Sequence, residues 1–410
     1  MRLSRSFWNL LAVGGTTASR LIGVLILYSL LARMLGPAGF GEFTYWYTIG
    51  ILLAALSDYG FAQQILIRLV SDSSENIKTE GERLIAAKSI LVGILFILAI
   101  VFSLFNSSDH KSLYWIIPLL IACAFATLID FFGVMLRARG SYQNEALRSF
   151  FATFVASVGS ATAGYFTNSL IVVCLVMLVV RMLVLYYQFL AAKYAVGFES
   201  KIAIFFDIRR AAKTLRSGFK FAVDGGAVQL LTNIDVLIAK YVLGSDAAGV
   251  YMAGSRLVQA ALSGLPVLSN VFIPTLVAQK KTGIVKTPKL MLVAIAAVSM
   301  ASPLIFWLGA DVIPVLLFGN DFSTLANIMP IIGLIVALRY LSSIDGFKLI
   351  VFEKQKSRTF IHIALVVFIF AAISMLSISG GFSETKLALC IAAAAVIHLI
   401  GFRLVAMRSI

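Results

Sequence analysis

Twelve apolar runs follow one another along the chain, near residues 8–34, 43–66, 84–105, 113–136, 146–166, 169–192, 217–243, 248–278, 288–309, 326–350, 358–379 and 385–407. Each is about as long as the ~20 helical residues needed to cross a bilayer's hydrocarbon core. In lipid every backbone N–H and C=O must be satisfied within the protein, so such runs can only be membrane-spanning helices. The fold class expected is therefore an all-α integral membrane protein of about twelve transmembrane helices. The runs at 146–166 and 248–278 are the weakest, one rich in Gly, Ser and Ala and the other interrupted by Pro266 and Pro274. For the second a kink is expected rather than a break, because neighbouring groups can satisfy the carbonyl that proline frees. The first run is read as a spanning helix and not as a cleaved leader, since it stays apolar from about Phe7 to Met34.

With 60% hydrophobic and 13% charged residues, the chain has too little polar surface to cover a water-soluble globule of its size. The net charge of +15 could suggest nucleic acid, but its distribution argues otherwise. With the N-terminus placed inside, 26 of the 34 Lys and Arg residues fall on cytoplasmic segments, Lys88 counted among them, and 4 on outer loops, namely Arg33, Lys111, Lys240 and Lys386. That asymmetry is the positive-inside pattern, and it predicts cytoplasmic N- and C-termini and no nucleic-acid partner. The longest polar connection carries Lys201, Arg209, Arg210, Lys213 and Arg216. It divides an N-terminal lobe at 1–195 from a C-terminal lobe at 217–410, with 196–216 as a basic cytoplasmic linker. The linker suits an amphipathic segment on an anionic leaflet and a solvated connection equally well. Six helices per lobe make the duplication a parallel repeat.

Cys123, Cys174 and Cys390 lie inside apolar runs, separate in sequence from one another and from His110, His362 and His398. No metal-ligand spacing, disulfide framework or cofactor motif is visible. A phosphate loop, a GxSxG elbow and paired histidine ligands are also absent from the sequence, so no enzyme is expected.

Nine ionisable residues fall inside the runs: Arg20, Asp58, Asp130, Arg181, Asp224, Asp235, Arg256, Arg339 and Asp345. Each costs about 3 kcal/mol at the centre of a spanning helix, so together they require a water-accessible or internally paired interior. Asn9, Thr16 and Arg20 share one helical stripe; Arg256, Gln259, Ser263 and Asn270 share another; Asp224 and Asp235 share a face three turns apart. These stripes predict a polar cleft between the lobes. Arginine suits a cleft that binds anions, because it stays charged and grips phosphate with two donors. Arg20, Arg181, Arg256 and Arg339, with Thr16, Gln259 and Asn270, are the candidate substrate contacts, pairing of the arginines with aspartates being the alternative. Asp224, Asp235 and Asp58 are the candidates for ion coupling or charge pairing. Asp58, Asp130 and Asp345 lie near cytoplasmic ends, where they can reach headgroups.

A repeated turn ties the halves together. Leu30-Leu31-Ala32-Arg33-Met34-Leu35-Gly36-Pro37-Ala38-Gly39-Phe40-Gly41-Glu42-Phe43 has a weaker copy at Ile238 to Tyr251, so that Gly36, Gly41 and Phe43 match Gly244, Gly249 and Tyr251 at a constant offset of 208. Glycine permits the chain to turn tightly and Pro37 suits the start of a turn, so the element is read as structural. With Leu56-Ser57-Asp58-Tyr59-Gly60 after the first copy, and Asn233-Ile234-Asp235 and Ala253-Gly254-Ser255-Arg256-Leu257 around the second, it resembles the Wzx-like polysaccharide-biosynthesis flippases of the MOP exporter superfamily. The resemblance implies two lobes around a central cleft. It also implies a bacterial inner-membrane flippase that carries an undecaprenyl-pyrophosphate-linked oligosaccharide, such as an O-antigen repeat unit, to the periplasmic leaflet. Na⁺ or H⁺, membrane lipids and other polysaccharide-assembly proteins are the partners it suggests. A MATE-like cation-coupled antiporter of drugs or metabolites is the alternative.

Overall fold

The computed structural model describes residues 2–62, 65, 74–107, 109–198, 208–281, 287–378 and 381–409, with side chains described from Leu21 onward apart from short stretches near 74–77, 142–144 and 209–221. The described residues contain helices and no strand.

A continuous helical stretch over Arg2–Asp58 is divided at Gly36, whose φ of 64° is left-handed and favours glycine. We call its parts α1 (residues 2–35) and α2 (residues 37–58). Pro37 opens α2, where its missing N–H costs nothing because first-turn donors have no helical acceptor. There follow α3 (Ser74–Asn106), α4 (Leu113–Ala138), α5 (Tyr142–Phe150), α6 (Ala156–Thr167), α7 (Leu170–Val196), α8 (Ile208–Val242), α9 (Ser245–Leu262), α10 (Gly264–Lys281), α11 (Lys289–Leu308), α12 (Val312–Phe318), α13 (Met329–Val351), α14 (Gln355–Ile378) and α15 (Glu384–Ser409).

Among the described residues ten stretches are long and apolar enough to cross a membrane. The first spans both α1 and α2 across Gly36, and the α5–α6 pair lies outside the ten, which accounts for the twelve apolar runs. α5 passes into α6 through a π-helical turn, Phe151–Val155, in the run whose Gly, Ser and Ala content made it weakest. Phe105, Phe166, Met300 and Met375 are among the large apolar side chains left exposed. Such a surface is incompatible with water and suited to lipid.

One sequence expectation is met and another is corrected. The run at 248–278 is kinked, as expected, and not broken off: Ser263 keeps right-handed helical angles (φ −64°, ψ −14°) but turns its N–H to Ala260 O, so that α9, ending at Leu262, passes into α10 at Gly264 within one continuous span. Pro266 then lies in the first turn of the new helix, where proline is tolerated. Lys88, counted with the loop charges, lies within α3 and is fully buried. Of the basic connection, residues 199–207, including Lys201, lie outside the described residues. From Ile208 the chain is already helical, so Arg209, Arg210, Lys213 and Arg216 belong to the first turns of α8.

The chain forms two compact units, one of residues 1–34 and 46–226, the other of residues 35–45 and 227–410. In the first unit α4 packs along α7, and Phe61, Ile65, Leu84, Ile85, Phe131, Phe132 and Phe198 form its core. In the second unit α13 is central, packed on α11 and α15, over Phe272, Leu276, Met291, Ile295, Val336 and Tyr340.

The glycine-bearing part of the first copy, from Leu35, and the whole of the second lie in the second unit and meet through their glycines. A Cβ on Gly41 would stand 3.0 Å from Gly249 Cα, a separation that only two glycines tolerate comfortably. Phe40 of the first copy packs edge-on against Phe322 and at a tilt against Phe318.

Candidate functional site

The polar residues of the second unit gather around Asp235 on α8. Tyr251 and Ser255 are four residues apart on α9, hence one above the other on its face. Both donate to the same carboxylate oxygen, Tyr251 Oη at 2.9 Å and Ser255 Oγ at 3.0 Å from Asp235 Oδ2. The other oxygen, Oδ1, is buried without a hydrogen-bond partner. One turn on, Arg256 Nη1 donates to Gln259 Oε1 at 2.7 Å, Gln259 Nε2 donates to Asn233 Oδ1 at 3.1 Å, and Asn233 Nδ2 donates to Gln229 O at 2.9 Å. Arg256 Nη2 reaches the carbonyl of Thr44 at 3.3 Å. Arg339 on α13 is half-buried and within electrostatic range of Asp235. Asp235, Arg256, Gln259 and Arg339, chosen separately from helical spacing, are thus neighbours in one cluster.

The cluster combines a carboxylate with one open acceptor, two neutral hydroxyl donors and two guanidinium groups, all in a spanning region. Burying these charges is tolerable only because each hydrogen bond in the chain from Arg256 to Gln229 satisfies the next group. Such a site can bind a small cation at the carboxylate or an anionic group at the arginines.

The remaining candidates are placed elsewhere. In the first unit Arg181, on α7, is buried and donates Nη1 to Ala122 O at 3.1 Å, with Tyr47 and Cys123 also in hydrogen-bonding contact. Its surroundings are a carbonyl, a phenol and a thiol, none of them an anion. Asn270 is exposed on α10, beyond the kink at Ser263, whereas Arg256 is buried on α9, so the two ends of the stripe do not share one environment. Asp224 is half-buried and belongs to the first unit, whereas Asp235, eleven residues on, belongs to the second. Asp58 is half-exposed at the end of α2, 3.9 Å from Lys88 Nζ. The side chains of Asn9, Thr16 and Arg20 lie outside the described residues.

Asp345 does not reach for headgroups. It is buried on α13 and held by Arg403 of α15, whose Nη1 lies 3.3 and 3.4 Å from its two oxygens, and by Lys348 at 3.8 Å. Beside it the structure joins two histidines that are far apart in sequence: His362 and His398 rings lie 5.4 Å apart, and His398 Nδ1 is 3.3 Å from Ser342 Oγ. Among the described residues no three His, Cys, Asp or Glu side chains converge as a metal site. The three cysteines are buried and reduced. Sequence reasoning did not assign a role to Tyr251 or Ser255, although Tyr251, Ser255 and Gln259 follow one another at four-residue intervals, the signal that could have found them.

The architecture is that of a multi-pass membrane protein with the MOP transporter fold. The structure aligns with the lipid II flippase MurJ in an inward closed conformation at a TM-score of 0.73 and 13% identity, covering 97% of this chain and 87% of that one. It also aligns with an inward-facing multidrug resistance MATE family transporter of the MOP superfamily at 0.68 and 15% identity, covering 96% and 94%, and with the Vibrio cholerae MATE transporter VcmN at 0.63 and 13%, covering 99% and 98%. No curated protein sequence matches the chain. Residues 7–279 match the model of the polysaccharide biosynthesis protein family, and the chain belongs to that family.

Proposed function

We propose that the protein is a flippase that moves an undecaprenyl-pyrophosphate-linked oligosaccharide, such as an O-antigen repeat unit, from the cytoplasmic to the periplasmic leaflet of the bacterial inner membrane by alternating access. Membership of the polysaccharide biosynthesis family over residues 7–279 is the observation that carries this reading. The physics of the task supports it. A charged, hydroxyl-rich head group needs polar partners inside the membrane, whereas a polyprenyl tail can remain in lipid. Arg256 and Arg339 supply guanidinium groups for phosphate, with Arg20 and Arg181 assigned the same role and Gln259, Asn270 and Thr16 offered to sugar hydroxyls. Asp235, with an open carboxylate oxygen, is the preferred point for Na⁺ or H⁺ coupling, ahead of Asp224 and Asp58. Both chain ends face the cytoplasm in this reading, as the distribution of Lys and Arg requires.

The deciding experiment is removal of the protein in its native host. Loss of surface glycan, with the lipid-linked oligosaccharide accumulating on the cytoplasmic leaflet, is expected. Intact glycan together with increased sensitivity to cationic drugs would instead assign it to the MATE-like antiporters that share its fold.

A further inference from the structure

Among the described residues of the first unit Lys88 is the most deeply buried charged side chain, with no exposed surface, and nothing so far gives it a task. Its ammonium group lies at the end of α2, where the chain turns away through Tyr59 at φ 47° and Gly60 at φ 73°. Nζ donates to Ser57 O at 3.1 Å, Ser57 Oγ at 3.2 Å and Thr127 Oγ1 at 2.7 Å. The two hydroxyl protons are directed elsewhere: Ser57 Oγ donates to Ala54 O at 2.7 Å, Thr127 Oγ1 lies 3.2 Å from the same carbonyl, and the hydroxyls are 3.1 Å from each other. Only lone pairs therefore face Nζ, and three ammonium protons meet three acceptors.

This is a cage built for a cation. Its carbonyls are those of the last turn of α2, which carry the negative end of the helix dipole. The rings of Phe61 and Phe131, each 6.0 Å from Nζ, wall it on the core side. Asp58 is not one of its direct contacts: at 3.9 Å, with its side chain 51% exposed, it stands between the cage and the surface. The ammonium is thus held by neutral oxygens, with two exposed carboxylates outside the cage, Asp58 at 3.9 Å and Asp130 within electrostatic range, that offer it a second, wetter position.

We propose that this cage is a monovalent-cation site whose resident is the tethered ammonium of Lys88, and that a small free cation entering past Asp58 exchanges with it, releasing the end of α2. Oxygen-only ligation fits an alkali ion or a primary ammonium ion and excludes a soft metal. The exchange does not depend on what the protein transports.

The full chain in lipid nanodiscs, titrated separately with sodium, potassium and methylammonium chloride against choline chloride, tests the site. Lys88→Met ends one atom short of the cage and keeps the apolar stem. It should gain roughly 3 °C or more in apparent melting temperature with 100 mM of a cation that fits, relative to choline, and Lys88→Met/Thr127→Val should lose that gain. Which salt acts separates an alkali-ion site from an ammonium site. In the unaltered protein, Lys88 should be modified by an amine-reactive label about tenfold faster in 500 mM of the same salt than in choline, as measured by mass spectrometry. A gain that persists in the Thr127 double variant, no gain at all, or a Lys88 labelling rate equal in all four salts would overturn the proposal. The labelling measurement decides the matter even where the Met variant does not fold.

Discussion

A Cβ placed on Gly249 would stand 1.9 Å from the carbonyl oxygen of Pro37, so the second copy of the repeated turn lies directly on the backbone of the first. Gly244, five residues earlier in the same copy, has open space where its Cβ would be. Both glycines are kept in the two copies of the repeat, but only Gly249 stands where the fold leaves no room for a side chain.

Gly249→Ala should therefore destabilise the protein by about 1–3 kcal/mol or prevent recovery of folded protein, because the obstructing atom is backbone and cannot rotate away. Gly244→Ala should be within about 0.5 kcal/mol of the parent. Thermal unfolding of the two variants in the same detergent compares them directly; equal stability would mean that the two turns do not pack through Gly249.

Arg256 donates to a side-chain amide and to a backbone carbonyl at once, a fork that lysine cannot reproduce. We predict that Arg256→Lys and Arg256→Ala both reduce glycan export at least tenfold, while Gln259→Glu, which keeps an acceptor for Nη1, retains more activity than either. Surface glycan normalised to protein in the membrane is the readout. Full export by Arg256→Ala would remove the cluster from the transport path.

Tyr251 and Ser255 share one carboxylate oxygen, so the loss of either leaves the other in place. Tyr251→Phe and Ser255→Ala should each cost about 1–2 kcal/mol, and the double variant should cost more than their sum if the remaining hydroxyl compensates in each single variant. A double-mutant cycle on thermal stability measures this coupling, and strict additivity would show that the two hydroxyls act independently.

Arg403 shields a buried carboxylate from a partly exposed position, its side chain being 55% exposed and that of Asp345 4%. Removing the guanidinium alone, as in Arg403→Gln, should destabilise by about 1–2 kcal/mol, less than a fully buried pair would lose because water can replace part of the contact. Asp345→Asn/Arg403→Gln should recover part of that loss, since the carboxylate is then neutral and only Lys348, 3.8 Å away, loses a partner. A double variant as unstable as Arg403→Gln would locate the effect in packing and not in charge.

Orientation has its own test. Cysteines at the exposed positions Lys111 and Lys356, in a background lacking Cys123, Cys174 and Cys390, should behave oppositely toward a membrane-impermeant maleimide. Lys111→Cys should label in intact spheroplasts and Lys356→Cys only after permeabilisation. The reverse pattern would place the termini outside.

The helices were legible because lipid allows few alternatives: a run of about 20 apolar residues must become a helix whatever surrounds it. The kink at Ser263 and the π-helical turn at Phe151–Val155 were visible only as weak runs. Their positions depend on which neighbours accept the freed backbone groups, and hydropathy does not encode that. Helical spacing placed Arg256 beside Gln259 correctly, since three residues along one helix fix their distance. It did not foresee that Asn270, beyond the kink at Ser263, is exposed while Arg256 is buried.

What the sequence determined by itself is the solvent, the number of apolar runs, the repeat and the family, all properties that short-range pattern and composition carry. Tertiary structure alone decided which charges are neighbours. Asp235 meets Tyr251 and Ser255, Asp345 meets Arg403, His362 meets His398, and Lys88 leaves the loops for a cage of oxygens at the end of α2. The physical reason is that a buried charge tolerates the membrane only with partners at hydrogen-bonding distance. Those partners sit on other helices, at separations in sequence that no local period connects.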